Sequence, residues 1–259
     1  MARGEGRWAR FGPVSVHVAS QPWPWPLELF RHTHPGRAAL AARLAVDVRP
    51  GAGHDGPVAR HGRAYCGPGF SLEEASLRTY RAVVADPPSL AGALLALLID
   101  LGRRAPLVLL HGAALRVAGR AWCWVGSTGV GKSTWARRHE RRALGSNAAL
   151  VWPSSGRWWL EALPFTGKGD AAVAPGAVPL GGFVALGASR RRAGSVAEAL
   201  AWLCRGAATA RGLGPRLDLL EALARAHVVG GRNVLPRGVS SARAQSLTEG
   251  ARMPRGDAW

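Results

Sequence analysis

The stretch Gly126-Ser127-Thr128-Gly129-Val130-Gly131-Lys132-Ser133 matches G-x-x-x-x-G-K-[ST] at every fixed position. Each fixed position has a chemical task. The glycines let the backbone curl so that its N–H groups converge on phosphate oxygens. Lys132 sets a compact charge beside the β- and γ-phosphates, and the Ser133 hydroxyl is a ligand for Mg²⁺. Thr134 follows as the first residue of an expected helix, 134–142, whose start faces the anion. The run 121–125, Ala-Trp-Cys-Trp-Val, reads as the strand that feeds the loop. A glycine-rich turn could match by chance, but the strand–loop–helix context argues for a nucleoside triphosphate site. Of 34 Lys and Arg residues only Lys132 and Lys168 are lysines. A chain that otherwise uses arginine keeps the small ammonium at this loop, where a guanidinium fork is no substitute.

Other residues are weaker candidates. Glu161 and Asp170 are acids downstream of the loop that could serve as a base, although each reads first as a surface residue. Lys168 is either a phosphate contact or a solvated loop lysine. His32 and His34 share one face of an extended segment without a cysteine or acid to complete a metal site. Asp100 ends an apolar run that reads as a core helix rather than as a metal-binding strand. Trp158-Trp159 reads as core and cover.

The elements that must position these residues follow in chain order. Residues 1–12 are expected to be frayed. Val14–Val18 and Leu44–Val48 alternate as strands, and 76–84 reads as one further strand. Gln21–Pro26 is extended because proline disfavours helix in the residue before it. Ser89–Gly102 reads as a buried helix, too short to span a bilayer, which needs about 20 apolar residues. Ala118-Gly119-Arg120 turns into the strand before the loop, so that strand is the second arm of a hairpin. A second hairpin is expected from 148–152 and 158–160. Phe183–Leu186 reads as a buried strand. Ser195-Val196-Ala197-Glu198 is a capping box. The helix 216–227 carries Leu217, Leu220, Leu223 and Ala224 on one stripe, and 228–235 is expected to close the sheet. The organisation expected is a β-rich region at 1–106, a nucleotide-binding domain at 107–235 and a disordered tail at 236–259.

With those pieces placed, residues 107–235 resemble the HPr serine kinase family, most closely its short divergent members. The resemblance rests on Leu110-His111-Gly112, the Gly119 turn, the phosphate loop, Pro164-Phe165-Thr166-Gly167, the strand at Phe183 and two closing helices. It implies an α/β, P-loop-containing, phosphoenolpyruvate-carboxykinase-like fold with a mixed sheet. It also implies ATP with Mg²⁺ as cofactors and phosphoryl transfer to a serine of a small protein or peptide. Carried over, Gly126, Gly131, Lys132 and Ser133 hold phosphates and metal, and His111 lies near the transferred group. One feature departs from the family. A pair of acids is expected after the loop helix, one of them the base toward the acceptor, and here Ser146 and Asn147 stand in that place. Asn147 can ligate a metal weakly but cannot accept a proton, so Asp170 or Glu161 becomes the alternative base.

The net charge of +18 is spread through the chain rather than blocked. It fits solvated arginine faces better than a sequence-reading nucleic-acid surface, for which no motif is present. The three cysteines, Cys66, Cys123 and Cys204, form neither a disulfide framework nor a zinc set. No apolar segment of a secretory signal opens the chain, and a cytoplasmic location without membrane partners is expected. Three readings stand: a weakened kinase, a degenerate nucleotide-binding scaffold or regulator, and a nucleic-acid-associated nucleotide binder. The oligomeric state stays open.

Overall fold

A computed structural model describes residues 7–20, 40–126, 129–163, 176–185, 195–207 and 216–228. Alternation of apolar and polar residues builds a first sheet from β1 (Arg7–Phe11), β2 (Val14–Ser20), β3 (Leu40–Val48), β4 (Ala59–His61), β5 (Ala64–Gly67), β6 (Phe70–Ser76) and β7 (Thr79–Val84). Their order is β1-β2-β3-β7-β6-β5-β4, and β3 runs parallel to both β2 and β7. Two expectations change here. Residues 7–11 form a strand rather than a frayed end, because Ala9 and Phe11 alternate into the core. The stretch 76–84 is broken at Leu77-Arg78, which turns β6 into β7. Arg78 takes φ 60° and Leu77 is 73% exposed. No glycine or proline announces that turn.

Helix α1 (Pro87–Gly102) starts where the Asp86 carboxylate accepts the Ser89 N–H at 2.9 Å. Its leucines and alanines are buried nearly all round, and it packs on β5, β6 and β7 and on the first strand of the second layer. That second layer contains β8 (Val108–Val117), β9 (Arg120–Val125), β10 (Ala143–Gly145), β11 (Ala148–Ser154), β12 (Arg157–Ala162) and β13 (Val178–Ala185). The order is β10-β8-β11-β12-β13-β9, and a further pairing joins β9 back to β8. Only β13–β9 is parallel. The chain is therefore α/β with two mixed sheets. Both expected hairpins are present, β8–β9 and β11–β12. The loop helix α2 (Lys132–Arg138) is shorter than 134–142, since a 3-10 turn at Glu140–Arg142 takes over its end.

The two faces of the second layer bury different things. Leu110, Cys123, Val151 and Leu160 pack against α3 (Val196–Gly206) and α4 (Leu217–Val228). Ser195 caps α3 by accepting the Glu198 N–H at 3.2 Å, as the capping box requires. On α4 the stripe is Leu219, Leu220, Leu223 and Ala224. Leu217 lies about a quarter turn from its centre and is 57% exposed, against expectation. On the opposite face Leu109, Leu150 and Trp152 join the core of the first sheet, while Ala113 and Leu115 lie beneath Ala136 and Trp135 of α2. Residues 1–6, His32, His34, the segment 164–175 and everything after 228 lie outside the described residues, and with them the expected closing strand and tail.

Candidate functional site

The phosphate-loop motif leads from β9 into α2, as its strand–loop–helix context requires. Ser127 and Thr128 lie outside the described residues. Gly129 and Gly131 take φ of 82° and 96°, the left-handed region where a side chain would be strained. Gly126, Val130 and Ser133 are half-buried, and Thr134 is exposed. Lys132, the first residue of α2, is only 4% exposed, and its ammonium donates to the Gly126 carbonyl at 3.0 Å. Burial lowers the Lys132 pKa, opposed weakly by the neighbouring Cys123. The Cys123 thiol is itself pushed up to about 12 by desolvation, so it stays neutral.

Ser133 meets the residues that replace the expected acids. Its hydroxyl donates to the Ser146 carbonyl at 3.4 Å, beyond the usual 2.5–3.0 Å of an O–H···O bond. The Asn147 carbonyl accepts the Gly112 N–H at 3.0 Å, which holds the break between β10 and β11 against the middle of β8. Gly112 is required there: a Cβ would meet the Trp124 carbonyl oxygen at 2.8 Å. The Ser146 side chain points into no bond. Its residue is 3% exposed, and its hydroxyl has no hydrogen-bond partner among the described residues. An unsatisfied buried polar group of this kind costs about 1–3 kcal/mol.

His111 is half-buried on β8, opposite Ala148. By alternation it shares a face with Leu109, in the first core, and with Ala113, beneath α2. It therefore sits on the face that carries the loop helix, at the seam between two apolar clusters. Asp170 and Lys168 lie outside the described residues.

Glu161 corrects the reading of a surface acid. It is 7% exposed, and it accepts the Gly12 N–H at 2.6 Å through Oε2. Desolvation raises its pKa, against the opposing Gly12 hydrogen bond and the Arg10 charge. Its partner in β11 is Leu150, and the Gly12 turn above it lies on Trp152. Glu161 thus ties the β1–β2 turn to the second layer. Asp100 is a core residue of α1, as the helix reading expects, and accepts the hydroxyls of Tyr65 and Tyr80 at 2.8 Å each. Trp158 and Trp159 pack into the two different cores, as cover rather than as a stacking platform.

The donor set limits what the pocket can hold. Among the described residues no group of three His, Cys, Asp or Glu side chains gathers to bind a metal. The buried acids Asp100 and Glu161 are engaged elsewhere. Mg²⁺ normally takes one or two protein carboxylates besides phosphates, and the Ser133–Ser146–Asn147 cluster supplies none. The described residues of this cluster therefore offer Mg²⁺ the Ser133 hydroxyl but no carboxylate. The cluster suits an anion: one ammonium, two hydroxyls and a glycine-rich backbone. The sequence marks Ser146 only as a missing acid; its orphaned hydroxyl is visible only once burial is known.

Neither a protein-family model nor a curated protein matches this chain. Among the described residues no helix is long and apolar enough to cross a membrane.

Proposed function

We propose that the chain binds a nucleoside triphosphate through residues 126–133, in the manner of HPr-kinase-like proteins with a phosphoenolpyruvate-carboxykinase-like fold. In this reading it transfers the terminal phosphoryl of ATP slowly to a serine of a small protein or peptide. The observation that carries this reading is the meeting of Ser133 with the Ser146 backbone beside buried Lys132. Two motif segments 13 residues apart meet at the start of the helix that the motif requires.

Each residue then has a task. Lys132 exchanges its bond to the Gly126 carbonyl for a phosphate oxygen. Ser133 gives up its long bond at small cost and turns toward the nucleotide. His111, on the same face, lies beside the transferred group. Magnesium enters as part of the nucleotide substrate. Transfer is slow because the place of the base is held by Asn147, which takes no proton. Calorimetry with ATP–Mg²⁺ on wild type and Lys132→Ala tests the binding. Equal affinity of the two proteins would sink the assignment.

A second reading rests on the engaged acids. Glu161 is committed to Gly12 and Asp100 to two tyrosines, so neither buried acid among the described residues is placed to act as the base. In that case the chain is a nucleotide-binding scaffold or regulator. Saturable ATP binding without ³²P transfer to any partner protein or peptide selects it. Specific nucleic-acid recognition has no support beyond charge, and any such binding should fade steeply with salt.

A further inference from the structure

The Ser146 hydroxyl has no explanation in the fold. It is buried and unpartnered among the described residues, and the carbonyl of the same residue meets Ser133 of the phosphate loop. Its neighbours narrow what could satisfy it. Lys132 and the Ser133 hydroxyl are donors, and no described carboxylate is directed there, since both buried acids are bound elsewhere. A cation would find a positive, donor-rich surrounding. A phosphate oxygen would draw the Lys132 ammonium and the Ser133 hydroxyl away from the Gly126 and Ser146 carbonyls they now meet, and it can accept several donors at once.

We propose that the Ser146 hydroxyl is a hydrogen-bond donor to a phosphate oxygen of the bound nucleotide, so that the site holds phosphate through its own donors and without a metal. The inference rests on the nucleotide-binding reading above and goes beyond it. A residue in the place of an acid becomes a phosphate ligand, and affinity for the diphosphate survives without magnesium. Lys132 and Ser146 are both covered in this state, at 4% and 3% exposure. The ligand therefore reaches them as Lys132 leaves the Gly126 carbonyl. The positive φ of Gly129 and Gly131 gives that loop conformations closed to other residues.

The test is ADP binding by calorimetry in EDTA, with thermal unfolding of the same proteins free of ligand. Ser146→Ala removes a hydroxyl that nothing in the fold uses. The ligand-free variant should melt at the same temperature as wild type or up to about 4 °C higher. Its ADP affinity should fall about tenfold or more, the scale of a lost hydrogen bond to a charged group. Ser146→Asp sets a negative charge against the phosphates and should weaken ADP further in EDTA. Unchanged ADP affinity in Ser146→Ala overturns the proposal. So does a ligand-free melting temperature that drops along with the affinity, since the hydroxyl would then be structural. Tight ADP binding by Ser146→Asp in EDTA overturns it as well. Failure of the underlying reading looks different: wild type itself then binds neither ADP nor ATP–Mg²⁺, and Lys132→Ala is equally inert.

Discussion

Two buried polar clusters, one in each layer, are closed to different degrees. In the first layer Asp100 accepts both Tyr65 and Tyr80 at 2.8 Å, and Arg103 and Arg104 approach it at 3.5 Å. Burial and the Asp100 carboxylate raise the pKa of both phenols, so they remain donors. In the second layer Lys132 bonds a carbonyl of its own loop, Ser133 makes a long bond and the Ser146 hydroxyl makes none. A polar group that is buried and satisfied stabilises one conformation. A polar group that is buried and left open costs stability until something fills it. The first cluster is complete as it stands, and the second is left open.

The largest expected effect comes from giving the open cluster the group it lacks. Asn147→Asp restores a carboxylate where the resemblance expects a base. ATP turnover should rise by about 10²–10⁴-fold, the usual contribution of a general base, while ATP affinity changes little. Turnover unchanged in this variant, with ATP binding intact, would show that the base is not wanted here. Brisk wild-type transfer abolished by Asp170→Asn would show that it lies further along the chain.

Breaking the closed cluster comes next. Asp100→Ala strands two buried phenols and should cost about 3–5 kcal/mol of folding stability in chemical denaturation. ATP binding by the molecules that remain folded should not change. A cost below about 1 kcal/mol would mean that the tyrosines find other acceptors, and the contrast between the clusters would fail. Lys132→Ala gives the converse pattern. It should weaken ATP binding by about 1.5–3 kcal/mol and leave stability nearly unchanged, because desolvation already penalises the ammonium in the ligand-free fold.

The contrast also separates what the sequence makes legible from what it does not. The phosphate loop, both hairpins of the second layer, α1 and the Ser195 cap are read from local signals: fixed glycines, alternation, a capping serine. The meeting of Ser133 with the 146–147 segment also follows, because the expected acids mark that stretch. Three features escape. The β6–β7 turn uses Leu77-Arg78, with no turn residue to betray it. The Tyr65–Asp100–Tyr80 clasp joins residues 35 and 20 positions apart with no spacing rule. Glu161 looks like a surface acid on an alternating strand, and only docking of the β1–β2 turn buries it. The last two are tertiary contacts, and local pattern carries no signal for those.

Glu161 gives the smallest effect, and its sign is fixed. Its pKa is raised above the ordinary 4.5 by burial. Below pH 4.5 the carboxyl is protonated in both folded and unfolded chains and contributes nothing. As pH rises from there, the unfolded chain ionises first, so the folded chain holds more protons and loses relative stability until pH passes the raised pKa. Half-buried His139, whose pKa burial lowers from 6.5, acts in the opposite direction, losing stability as pH falls through that range. The comparison is therefore between wild type and Glu161→Gln rather than between pH values alone. Glutamine keeps an acceptor for the Gly12 N–H and removes the titration. Its stability relative to wild type should grow from pH 4.5 to pH 7. A flat difference across that range would mean that Glu161 titrates alike in both states, the Gly12 hydrogen bond and the Arg10 charge offsetting its burial.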